Sequence, residues 1–161
     1  MSYWLIKSEP DAYSIDDLER DGRTGWDGVR NYQVRNMMRD DMKPGDMAFF
    51  YHSSCDTPAV VGIMKIAGPA RPDPGQFDPE SKYYDPQSSR ENPRWLLVDV
   101  AFERKVSRPV TLREIREDPA LTGFTLTRRG NRLSVFPVTK AQWQRILKLE
   151  KVPDAPQDPS R

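Results

Sequence analysis

Residues 95–104 alternate without a break: Leu96, Val98, Val100 and Phe102 fall on one side, and Leu97, Asp99, Ala101 and Glu103 on the other. A period of two with one apolar face is a β-strand laid against a core. Such a strand needs partners, and the chain offers them. Residues 47–52 and 59–67 read as a pair of strands joined through 53–58, residues 3–8 open the chain as a strand, and residues 133–136 supply a last one. Helices fill the gaps. Ser14 can cap a helix over 15–19, with Asp17 standing in for the capping-box carboxylate, and Asn31 can cap one running to Asp41. Thr111 with Glu114, and Thr139 with Gln142, form capping boxes for helices over 111–117 and up to Glu150. The order is strand, helix, helix, several strands, helix, strand, helix. It lacks the strict alternation of a parallel sheet and predicts an α+β chain: a small mixed β-barrel flanked by short helices.

Between these elements lies a proline-rich stretch over 69–93, long and irregular, which carries Phe77, Tyr83 and Tyr84. A loop of that length in a compact domain is usually functional or mobile. With 161 residues the chain has room for one domain, expected over 1–150, and a disordered tail over 151–161. The net charge of +1 argues against a histone-like binder but leaves nucleic acid open, since the placement of Arg and Lys decides that. Cys55 and His52 are each the only residue of their kind, which removes an internal disulfide and a Cys/His zinc site. No metal and no cofactor are expected. The start lacks a charged leader and an apolar run, and no segment nears the ~20 apolar residues of a membrane span. A cytoplasmic monomer is the expectation.

Catalytic signatures are weak. His52 and Cys55 lie three residues apart at a strand end with no third group to orient them. Neither a P-loop nor a dinucleotide-binding glycine motif is present. The pairs Asp16-Asp17 and Asp40-Asp41 sit on helix surfaces, where neighbours do not converge. Binding features are stronger. Trp26 reads as a loop residue among Gly22, Gly25 and Gly28, followed by Arg30, Asn31, Tyr32 and Arg35. That set offers a stacking face, an amide for base edges and cations for phosphate. Taken alone, a loop tryptophan serves the core equally well. Tyr51, His52 and Ser53 end a strand and can form a rim. Arg128, Arg129 and Arg132, with Ser134 after them, make a basic stripe or merely a solvated run. Trp4, Trp95 and Trp143 have core periodicity, and Lys7 and Ser8 at the end of the first strand fit either role.

Five runs carry a resemblance. They are residues 3–10 (YWLIKSEP), 26–36 (WDGVRNYQVRN), Tyr51-His52-Ser53, Arg94-Trp95 with Val98-Asp99-Val100, and Arg132-Leu133-Ser134-Val135 with Pro137-Val138. In this order and spacing they resemble the EVE domain over nearly the whole chain, 2–149. Val34 stands where the family pattern has Ala, a small apolar change. The resemblance implies a PUA-like fold, a twisted small β-barrel flanked by short helices. It also implies kinship with YTH domains, which hold a methylated adenine in an aromatic cage, and reading of modified bases, 5-methylcytosine among them, in DNA or RNA without catalysis. By position, Trp26 would form one wall of the base pocket, with Asn31 and Tyr32 shaping it. Lys7 and Ser8 would hydrogen-bond in it, Tyr51, His52 and Ser53 would oppose them, and Arg132 and Ser134 would touch backbone or base edge. Tyr83 or Tyr84 is the candidate second wall.

Three rival readings stay open. An enzyme acting on modified nucleotides would use Glu9, His52 or Asp27 as acid or base. A small-molecule sensor would bind with little dependence on salt. A protein-interaction module would work through residues 69–93.

Overall fold

The computed structural model describes residues 1–153. In chain order the elements are β1 (Tyr3–Ser8), α1 (Ile15–Asp21), β2 (Arg23–Trp26), α2 (Tyr32–Asp40), β3 (Met47–His52), β4 (Ala59–Ile66), β5 (Arg71–Pro72), β6 (Leu96–Thr111), α3 (Leu112–Glu117), β7 (Val135–Val138) and α4 (Lys140–Lys151). Lys151, expected to begin the tail, is the last residue of α4, and the tail from 154 on lies outside the described residues.

The strands form one mixed sheet in the order β2-β6-β4-β3-β1-β7, with β5 paired to β6 off that path. β1 and β3 run parallel, Tyr3 opposite Met47 and Ser8 opposite His52, and every other pair is antiparallel. The expected barrel is therefore only a loose description: β2 and β7 are the two ends of the order, and the sheet is open. Register shifts at Phe50/Tyr51, Val60/Gly62 and Ile63/Met64 bend it, since an extra residue on one strand sharpens its local twist.

Four strands depart from the sequence expectation: β7 spans Val135–Val138 rather than 133–136, and the short β5 lies inside the stretch expected to be irregular. β6 does not stop at Arg104 but continues through Pro109, because β4 pairs along both of its halves, Ile66 with Val100 and Ala59 with Thr111. A register shift accompanies the proline, which cannot donate to the ladder. β2, expected as glycine-rich loop, pairs with β6, Trp26 opposite Val98.

The helix signals hold. Ser14 with Asp17, Thr111 with Glu114 and Thr139 with Gln142 all form reciprocal capping boxes, and Asn31 accepts from the Val34 N–H. Each cap satisfies a backbone donor that the first turn leaves free.

Both faces of the sheet are buried. Trp4, Ile6, Phe50, Met64, Val98 and Val100 form one cluster with Leu18 of α1 and with Val34 and Met38 of α2. Leu5, Phe49, Tyr51, Val110 and Phe136 form the other with Ile115 of α3 and with Trp143 and Ile146 of α4. Trp4, Trp95 and Trp143 are buried, as their periodicity predicts.

Residues 69–93 are tied down rather than loose. The fully buried Gln76 amide donates to the Asp73 and Trp95 carbonyls and accepts from Ser88 Oγ and the Trp95 N–H. All of these bonds lie between 2.6 and 3.0 Å, so the loop is built around one satisfied amide.

Candidate functional site

The C-terminal ends of β1 and β2 lie beside one another and open a cleft of about 580 Å³. Lys7, Ser8 and Glu9 come from β1 and the turn after it, and Trp26 to Asn31 from the end of β2 and its loop. Tyr13, Lys82, Tyr83 and Ser134 complete the wall. A second hollow of about 550 Å³ lies at the opposite end of β1, around Tyr3 and Trp4. Its aromatic rings are already engaged: Tyr3 stacks on Trp143, and the Trp4 indole donates to buried Asp46.

Trp26 is the last residue of β2, not a loop residue. Its ring is half-buried. Phe50 meets it edge-to-face at 5.5 Å and Tyr13 at 6.2 Å. These edge contacts fix the indole from the core side while it still lines the cleft.

Tyr83 is held against this segment by its backbone. Asp73, with 1% of its side chain exposed, accepts from the Gly28 N–H and from Arg30 Nη1, and the other arms of Arg30 donate to the Tyr83 carbonyl. Gly28 has φ +80°, and a Cβ there would sit 2.6 Å from Tyr83 Cζ. Glycine is required twice over, for the left-handed backbone and for the ring lying on it.

The other expected site residues divide into two groups. Lys7, Ser8, Asn31 and Ser134 line the cleft. Lys7 is half-buried, which pushes its pKa down, lies 5.9 Å from the Phe136 ring and has no ion pair among the described residues. Ser8 Oγ donates to the Tyr13 carbonyl, and Asn31 Oδ1 is taken by its cap. Arg30 also lines the cleft, but its guanidinium is spent inside the protein, so it positions Tyr83 rather than standing free for phosphate.

The rest lie outside the cleft lining. Tyr32 stacks on Trp95 at 4.6 Å, and Arg35 covers Tyr32 while donating to the Arg94 carbonyl. Tyr51 is buried in the second core cluster, where burial raises its phenol to about 12. His52 Nε2 accepts the Ile15 N–H at the start of α1, and burial lowers its pKa against the pull of Asp16. Ser53 donates its N–H to the Ser8 carbonyl. The rim expected from 51–53 is thus a strut beneath the cleft, because β3 pairs with β1 and its side chains serve the core and α1. Arg132 is exposed, and Arg128, Arg129 and Arg132 have no ion pair among the described residues. The basic stripe stands just ahead of Ser134.

Sequence reasoning did not select Tyr13, Lys82 or, as a binding group, Asp27. Asp27 had a signal, since it adjoins Trp26. Its carboxyl is raised from the ordinary range by burial and by the charge of Asp73, against its own N–H, Arg30 and Lys82. Among the described residues no group of three or more His, Cys, Asp or Glu side chains is placed to hold a metal.

The EVE domain model matches residues 2–149. The chain belongs to the EVE domain family. Human thymocyte nuclear protein 1 is 41% identical to this EVE protein over 170 aligned positions, covering 93% of the chain and 74% of the relative. The crystal structure of human THYN1 protein in complex with 5-methylcytosine-containing DNA superposes with a TM-score of 0.89 at 40% identity, covering 95% of this chain and 99% of that one. A YTH domain from Zygosaccharomyces rouxii, in complex with N6-methyladenosine RNA, shares the fold at a TM-score of 0.52 and 15% identity, over 98% of this chain and 88% of that one. The α+β, PUA-like class expected from the sequence is therefore the fold of this EVE protein.

Proposed function

We propose that this EVE protein is a non-catalytic nucleic-acid-binding module that reads a modified base, 5-modified cytosine or a base like it, in DNA or RNA. The observation that carries the reading is the half-buried Trp26 lining a cleft beside Lys7, an ammonium with no acid partner among the described residues. A cleft of about 580 Å³ falls in the range of ligand sites, ~300–1,000 Å³. Tyr83, seated on Gly28, is the proposed second wall; Tyr84 does not line the cleft. The human relative crystallised with 5-methylcytosine-containing DNA supports the choice of ligand.

The energetics fit a base that leaves its stack. Extrusion costs a few kcal/mol, and each aromatic wall returns ~1–3 kcal/mol. Lys7, Lys82 and the exposed Arg128, Arg129 and Arg132 would supply the salt-dependent remainder through phosphate. A buried methyl adds only ~0.8 kcal/mol.

His52, the only histidine, already has Nε2 occupied by the Ile15 N–H, which supports a binding role over acid–base chemistry. Among the described residues no helix is long and apolar enough to cross a membrane. The human relative is named for the nucleus, so the cytoplasmic location expected from the sequence is not carried over.

Fluorescence anisotropy with plain and 5-methylcytosine oligonucleotides at two salt concentrations tests the proposal. Trp26→Ala is expected to weaken binding by about tenfold or more. Arg132→Ala is expected to weaken every sequence alike and to lower the salt slope by about 1. If both variants bind like wild type, the module does not read bases in this cleft.

A further inference from the structure

A reader of 5-methylcytosine faces a problem that the methyl group cannot solve. Thymine carries the same methyl at C5 on a ring of nearly the same shape, so stacking and methyl burial treat the two alike. They differ only on the edge that normally pairs. Cytosine offers an amine donor at N4 beside a bare acceptor at N3, whereas thymine offers a carbonyl acceptor at O4 beside an N3–H donor. Telling them apart requires a polar group with the right pattern inside the cleft.

Most polar side chains of the cleft cannot serve. Lys7 and Lys82 only donate, which suits a carbonyl better than an amine. Ser8 Oγ donates to the Tyr13 carbonyl, Tyr13 Oη donates to Asp21, Asn31 Oδ1 is the cap of α2, and Arg30 is bound to Asp73 and Tyr83. Two carboxyls line the cleft, Asp27 and Glu9, and neither takes a hydrogen bond or ion pair from another side chain among the described residues. Asp27 is the residue next to the stacking wall. Its backbone is pinned on both sides, its own N–H donating to the Gly25 carbonyl and the Gly28 N–H to Asp73.

We infer that Asp27 is the residue by which this protein distinguishes a cytosine-type base from thymine or uracil, its carboxyl accepting the exocyclic amine. The inference rests on the base-reading function proposed above and adds the reader of the pairing edge. Burial and the Asp73 charge raise the Asp27 carboxyl, against Arg30 and Lys82. A carboxyl oxygen facing position 4 accepts the N4 amine of cytosine, whereas the O4 carbonyl of thymine has no proton to give it. An amino-group contact of this kind discriminates bases by roughly tenfold or more.

Single-stranded oligonucleotides carrying one 5-methylcytosine, one thymine or one abasic position at the same site test the assignment by anisotropy. Wild type is expected to bind the 5-methylcytosine strand about tenfold tighter than the thymine strand. In Asp27→Asn the amide can present either its NH₂ or its oxygen, so the two affinities should fall within about twofold of each other. Asp27→Ala, with thermal melting to establish folding, should lose the same preference and retain binding above the abasic strand. Wild type binding 5-methylcytosine and thymine equally, both above the abasic strand, leaves base reading standing and overturns the role of Asp27. That role is likewise overturned if Asp27→Asn keeps the preference, and loss of it in Glu9→Gln would then pass the role to Glu9. No difference between any base and the abasic strand overturns both the base-reading function and this inference.

Discussion

Trp143 and Trp26 sit on opposite faces of one sheet and illustrate two uses of the same side chain. Trp143 is closed in: it stacks on Phe49 at 3.9 Å and on Tyr3 at 4.6 Å, and only 6% of it is exposed. Trp26 is gripped by edges only, Phe50 and Tyr13, and remains half-buried in the wall of the cleft. Folding uses both rings of the Trp143 stack for cohesion, whereas Trp26 is left incompletely packed. The carboxylates repeat the contrast. Glu150, on the α4 side, is buried and fully engaged by Arg104 and Ser107, while Asp27, on the cleft side, has no side-chain hydrogen-bond partner among the described residues. In the proposed function, this aromatic face and an acid without a side-chain hydrogen-bond partner among the described residues are what the cleft offers a ligand.

Stability measurements put this contrast at risk. Trp143→Ala should cost ~3–5 kcal/mol in urea unfolding, as removal of a buried, stacked tryptophan does. Trp26→Ala should cost less than half as much while removing binding. Equal losses in the two variants would make Trp26 an ordinary core residue and empty the contrast.

A smaller effect belongs to the cleft side. Gly28→Ala forces a β-carbon into Tyr83 and places a side chain at φ +80°. We expect a loss of ~1–3 kcal/mol, together with weaker oligonucleotide binding as Tyr83 is displaced. Tyr83→Ala tests the same wall without the backbone strain, and should weaken binding with little change in stability.

The weakest effect separates the two sides by pH. Burial pushes the Glu150 carboxyl up, but Arg104 and the Ser107 N–H outweigh it and leave the pKa lowered. Arg108 lowers Glu114 in the same region, again against burial. A carboxylate with a depressed folded pKa contributes its full stability above the unfolded value, near ~4.3, and loses it as pH falls through the folded value. Asp27, with its raised pKa, has the opposite sign. Its charged form is disfavoured by folding, so protonation relieves a cost as pH falls through the folded value toward the unfolded one. Urea midpoints measured from pH 6 downward should therefore fall for wild type and fall less for Glu150→Gln, whereas Asp27→Asn should be at least as stable as wild type at pH 6.

Much of this was legible in the chain. The reciprocal caps Ser14/Asp17, Thr111/Glu114 and Thr139/Gln142 are local, reaching three residues along the backbone, and they mark the helix starts to within a residue. The five family runs marked the fold class, and Lys7, Ser8, Trp26, Asn31 and Ser134 do meet in one cleft. Less legible was anything that depends on pairing across the sheet. Nothing in the run Arg23-Thr24-Gly25-Trp26 resembles a strand until Val98 and its neighbours lie alongside. Nor do Lys105 to Thr111, with their proline, until the start of β4 pairs with them.

Short-range spacing and residue chemistry were enough to place the helices and the core tryptophans and to single out the Trp26 run that lines the cleft. Which polar groups are already used is settled by the folded chain alone. Arg30 looks free in the sequence and is bound to Asp73 and Tyr83. Tyr51 and His52 look like a rim and are a core ring and a helix partner. Asp27 looks like one acid among many and, among the described residues, stands without a side-chain partner beside Trp26. Hydrogen bonds to residues tens of positions away fix the fates of Arg30 and His52, and core packing fixes that of Tyr51; spacing along the chain carries no record of either.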